Sequence, residues 1–105
     1  MYLKHSHDRR FQKTIQFLRQ HIDSKATILD LGVKNPLTVM MESAGHKVKN
    51  THGEDLDENK TALLQTEADV VTAFEILEHL LSPYEVLKSI KAQKLVASVP
   101  LKLWF

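Results

Sequence analysis

Two short runs, Thr27-Ile28-Leu29-Asp30-Leu31 and Ala68-Asp69-Val70-Val71-Thr72-Ala73-Phe74, are apolar and β-branched and scarcely alternate with polar residues. A strand with one wet face alternates in polarity, whereas a strand without alternation is buried on both faces. Burial on both faces is the ordinary condition of a parallel sheet covered by helices. These runs therefore constrain the chain to an α/β layout before any other feature is read.

The intervening segments supply the helices. Phe11, Ile15, Leu18 and Ile22 recur at one-stripe helical spacing and predict an amphipathic helix over Ser6–Ile22, with Ser6 as N-cap and Asp8 in its first turn. Polar Asp23–Lys25 ends it. After the first strand, Gly32–Asn35 makes a tight connection, and Asn35-Pro36 has the chemistry of an N-cap followed by the first helical residue. Leu37, Met40, Met41 and Ala44 then share a helical face, which Gly45 closes. His46–Thr51 is a second strand built around Val48. Strand, helix and strand over so few residues form a βαβ unit with parallel pairing and a right-handed crossover.

Residues 52–67 are acidic and polar, and a loop with one helical turn is expected. Glu75–Leu81 follows the Ala68–Phe74 strand. Ser82-Pro83 opens a helix that carries Pro83, Val86, Leu87 and Ile90 on one face, and Lys94–Pro100 is the last strand. Residues 1–105 thus read as one domain, with an N-terminal helix in residues 1–25 and a Rossmann-like core in 26–105. The expected architecture is a three-layer sandwich on a mostly parallel sheet of about four strands. Ligands bind such sheets beyond the carboxyl ends of the strands, where strand order reverses. The loops Gly32–Pro36, Thr51–Asp55, Phe74–His79 and Pro100–Trp104 share that edge.

Composition narrows the function classes. The 105 residues carry 14 Lys+Arg and 13 Asp+Glu, for a formal net charge of +1. Residues 1–50 hold nine basic and four acidic groups, and residues 51–105 hold five and nine. The basic residues Arg9, Arg10, Lys13 and Arg19 lie on the polar side of the first helix. They read as a solvated face, because nucleic-acid domains show a denser basic surface with interleaved aromatics. There is no cysteine, hence no disulfide framework or thiolate metal site. No run is long and apolar enough to span a bilayer and no signal segment is seen, so a cytoplasmic protein is expected.

Ile28-Leu29-Asp30-Leu31-Gly32 resembles the first motif of class I S-adenosylmethionine-dependent methyltransferases. The segment from Ala68 through Phe74-Glu75-Ile76-Leu77-Glu78-His79-Leu80 resembles their fourth strand and the residues after it. The likeness continues through Ser82-Pro83 and Leu95–Pro100 and covers about residues 26–100. It implies S-adenosylmethionine as cofactor, with Asp30 and Gly32 at its methionine end. Thr51, His52 and Asp55 would lie by the ribose, with Glu54 beside them, and Phe74 would lie toward the adenine and acceptor. The chain departs from the family where two further loop glycines would stand, which here are Lys34 and Pro36. The family's third strand is compressed into residues 52–67, and its C-terminal strands are lacking, so the chain reads as truncated after the fifth-strand position.

Glu75, Glu78 and His79 form an E-x-x-E-H pattern. On a helix these three would share a face and could hold Mg²⁺, or His79 with Glu75 could act on the acceptor's proton. His5, His7, His21 and His46 read as helix-end or terminal residues, and Met40-Met41 as core filling. The apolar tail Leu101–Phe105 points to an oligomer or a partner chain covering the last strand's edge. The leading expectation is methyl transfer to an unidentified acceptor, with a small molecule favoured. The alternative is a degenerate or truncated, non-catalytic module acting as a binding or structural subunit.

Overall fold

The computed structural model describes residues 3–99, with side chains from residue 9 onward. The elements are α1 (Leu3–His21), β1 (Ile28–Asp30), α2 (Pro36–Ser43), β2 (Val48–Asn50), α3 (Thr61–Gln65), β3 (Val70–Phe74), α4 (Pro83–Lys88) and β4 (Lys94–Ser98). All strand pairs are parallel, in the order β2-β1-β3-β4. The chain steps outward from β1 to β2, then returns to the far side of β1 for β3. Strand order therefore reverses between β1 and β3.

The sheet divides two apolar clusters. On one face Ile28 and Val70 meet Ile15, Leu18 and Ile22 of α1 and Leu37 and Met41 of α2. On the other, Leu29, Val71 and Ala73 meet Leu56, Leu63 and Val86. Side chains alternate between faces along a strand, so the apolar runs 28–31 and 70–74 feed both clusters at once. This is the physical reason they lack polar alternation. Helices thus cover both faces, as the three-layer expectation requires.

Local chemistry sets the helix ends. Asn35 Oδ1 accepts the N–H groups of Leu37 and Thr38 at 2.8 and 3.2 Å, and Thr38 Oγ1 accepts the Asn35 N–H at 3.2 Å. Pro36, which lacks an N–H to orphan, takes the first turn. Gly45 ends the segment at φ +110°, a conformation that side chains resist.

Three sequence expectations need correction. The first helix begins at Leu3, so Ser6 lies inside it and is not its N-cap. Helix α4 does open at Ser82-Pro83 as expected, although the Ser82 side chain caps none of its N–H groups. Asp57 braces the approach to α4, its Oδ2 and Oδ1 accepting the Leu81 and Ser82 N–H groups, both at 2.8 Å. The segment after β3 forms only a single 3-10 turn, Leu77–His79, because Glu75 adopts φ +58° and Leu80 is extended. The last strand ends at Ser98, and Pro100–Phe105 lie outside the described residues.

Candidate functional site

The carboxyl ends of β1, β2 and β3 carry a polar row across the sheet. Asp30 pairs in register with Asn50 on β2 and with Thr72 on β3. Thr72 Oγ1 donates to Asp30 Oδ1 at 2.6 Å, and Asn50 Nδ2 donates to Asp30 Oδ2 at 2.9 Å. Asp30 is only 3% exposed. Burial pushes its pKa up to about 6, and the two hydrogen bonds oppose that rise without cancelling it.

The same residues hold the β1–α2 turn. Gly32 sits at φ +126°, its N–H donates to Thr51 Oγ1 at 2.7 Å, and its carbonyl accepts from Asn50 Nδ2 at 3.0 Å. Thr51 N–H in turn donates to the Asp30 carbonyl at 3.2 Å. A side chain at position 32 would have to adopt a backbone conformation that only glycine takes at little cost. Sequence reasoning assigned Asp30, Gly32 and Thr51 to one site, and the structure brings them together. Asp30 and Thr51 are buried, however, and their polar atoms brace the turn.

Two clefts open beside this row. One, of about 330 Å³, lies by the β1–α2 turn and the end of β2 and is bordered by Lys34, Glu42, Asn50, Thr51 and His52. Lys34 leans toward Glu42, 3.8 Å away, and is largely exposed. The other, of about 380 Å³, lies between α1 and the ends of β3 and β4, bordered by Arg10, Phe11, Leu37, Phe74 and Glu75 among others. Both volumes fall at the small end of the range for small-molecule sites.

The remaining expected residues are dispersed. His52 is exposed, and its N–H donates to Glu54 Oε1 at 2.6 Å, so the loop folds back on itself. Asp55 Oδ1 accepts the Asp57 N–H at 3.0 Å, which commits that carboxylate to its own turn. Phe74 is half-buried. Glu75 forms an ion pair with Arg10. Glu78 lies 3.6 Å from an exposed His79. The expected helical face for Glu75, Glu78 and His79 does not form, since Glu75 precedes the 3-10 turn in a left-handed bend. No group of three His, Asp or Glu side chains that could hold a metal ion occurs among the described residues.

Sequence reading missed Asn50, Thr72 and Arg10. Thr72 is a lone hydroxyl in an apolar run, and strand register alone sets it against Asp30. Arg10 was read as solvated, and its pairing with Glu75 depends on α1 crossing the ends of the strands. His46, read as a helix-end residue, is buried, with Nδ1 2.9 Å from the Ala26 carbonyl oxygen. Comparison with protein-family models, with curated proteins and with solved structures found no match to the chain.

Proposed function

We propose that this chain is a methyltransferase domain that uses S-adenosylmethionine. The observation that carries the reading is the glycine turn at the strand-order reversal: Gly32 at φ +126°, closing β1 beside β3. The order β2-β1-β3-β4 is the centre of a doubly wound dinucleotide-type sheet, with no outer strand beyond β2 or β4 among the described residues. The residues in the Asp30-x-Gly32 turn and after β3 are those on which the family resemblance rests.

The donor set suits such a ligand. Asn50, His52 and Glu42 offer polar groups to hydroxyls or to an amino-acid end around the smaller cleft. Phe74 offers an aromatic wall on the other side. Asp30 acts as a positioning residue: it holds Asn50 and Thr72, and Asn50 holds the Gly32 carbonyl. S-adenosylmethionine supplies an electrophilic methyl group when bound. The protein's part is to hold the acceptor in line, a gain of proximity and orientation. The acceptor class is a small molecule, bound toward Phe74 and Glu75, with His79 and Glu75 as the proton-handling groups nearest that loop. The open β4 edge is proposed to take a partner chain or a second copy, and a cytoplasmic location belongs to the same reading.

Two observations favour a non-catalytic binding module instead. Both Asp30 carboxylate oxygens are taken up inside the protein, and Lys34 stands where the resemblance calls for glycine. Calorimetric titration with S-adenosylmethionine and S-adenosylhomocysteine decides between the two. Micromolar binding, weakened more than about tenfold by Asp30→Ala in a chain that stays folded, is the expected result. A folded chain that binds neither compound would leave the module reading in place.

A further inference from the structure

We infer that the groove between α1 and β4 is a binding site for a small amphipathic anion, a carboxylate on an unbranched apolar body. The larger cleft at the ends of β3 and β4 continues into a second hollow of about 230 Å³, and the two share Lys13, Thr14, Phe74 and Ser98. The second hollow is walled mainly by Phe17, Val96 and Ala97. Phe17 is 49% exposed although it belongs to the α1 segment packed on the sheet. Arg10, Lys13, Thr14 and Phe17 follow at i, i+3, i+4 and i+7, so one face of α1 forms the groove's long wall. At the helical rise per residue that wall is about 10 Å long.

The charges choose the ligand. Glu75 is ion-paired with Arg10 at the carboxyl edge and is therefore neutralised. Lys13 has no acidic partner within ion-pairing distance among the described residues. The groove thus keeps one positive charge, uncompensated among the described residues, beside the Ser98 hydroxyl and the Thr14 oxygen, whose own proton goes to the Arg10 carbonyl at 2.9 Å, with an apolar end at Phe17 and Val96. A cation would meet the unpaired Lys13 charge and is disfavoured. A neutral alkyl compound would gain the apolar wall only. An anion with an apolar body gains both, with its head at Lys13 and its chain toward Phe17. The inference does not depend on methyl transfer, and its test needs no S-adenosylmethionine.

The test is titration of the whole chain with octanoate, octanol and octylammonium, followed by amide chemical shifts. Octanoate is expected to bind at least about fivefold more tightly than octanol, the scale of one charge-assisted contact. The shifts should centre on Lys13, Thr14, Phe74 and Ser98. Lys13→Gln, at an exposed helical position, should erase the preference for octanoate and leave octanol binding and the circular dichroism unchanged. Equal affinity for the three compounds, binding of none, shifts centred elsewhere, or a preference that survives Lys13→Gln would each overturn the assignment.

Discussion

Burial of the Asp30 carboxyl raises its pKa from 3.8 to about 6, and the direction of that shift governs its contribution to stability. Between those values the folded chain holds a proton that the unfolded chain has released. The stability from this group is therefore present below pH 3.8 and is lost as the pH rises through about 6. The ionised form is disfavoured at neutral pH by roughly 3 kcal/mol, a differential held in a residue that braces the Gly32 turn. Asp30→Asn is expected to abolish this loss, seen as a flatter dependence of the urea midpoint on pH across that interval. The amide offers one acceptor oxygen where Thr72 and Asn50 present two donors, so the gain at neutral pH should be only about 1 kcal/mol. Asp57 has the opposite sign. The Leu81 and Ser82 N–H groups hold its carboxyl below the usual range, so its contribution is present above the unfolded pKa and is lost as the pH falls through the folded one. Asp57→Ala should accelerate hydrogen exchange at Leu81 and Ser82. Unchanged exchange there would mean these bonds do not persist in solution. Asp30 could be singled out from its place before Gly32, whereas the effect of Asp57 arises from a contact 24 residues away.

The elements most legible in the sequence are those whose ends are set by their own neighbours. Helix α2 starts at Pro36 because Asn35 and Thr38 cap each other within four residues. Asn35→Ala should cost about 1 kcal/mol, measured by urea denaturation. A loss below a few tenths would mean that the buried Leu37 and Met41 alone set the helix start. Glu75–Leu81 has a helical composition, yet it forms only the 3-10 turn at Leu77–His79. What breaks the helix is the left-handed backbone at Glu75, whose N–H donates to the Ser98 carbonyl at 2.8 Å and so extends the β3–β4 pairing by one residue. Helical propensity is a weak preference, and a strand contact outweighs it here. Glu75→Gly relieves the backbone strain and removes an exposed ion pair of little worth. The variant is therefore expected to be as stable as the parent or up to about 1 kcal/mol more stable in the same assay.

At the scale of the molecule, the sheet ends in two edge strands among the described residues, β2 and β4. β1 and β3 are buried, but β4 is mostly exposed along its length, with Leu95 40% exposed and Val99, just past its end, 50% exposed. An uncovered strand edge with apolar neighbours favours association. Sedimentation should therefore show concentration-dependent association that Leu95→Lys suppresses. A monomer at every concentration would mean that the edge is protected in solution. No helix among the described residues is long and apolar enough to cross a membrane. By itself the sequence determined the element order, the two-faced burial of the central strands and the cap of α2. Those depend on side-chain period and on contacts a few residues long, which the linear order of residues contains. Only the tertiary structure decided that Asp30 lies between Asn50 and Thr72, that Arg10 meets Glu75, that Asp57 braces the approach to α4, and that Lys13 faces a groove. Each of these joins residues distant in the chain, and their meeting is set by strand register and helix placement.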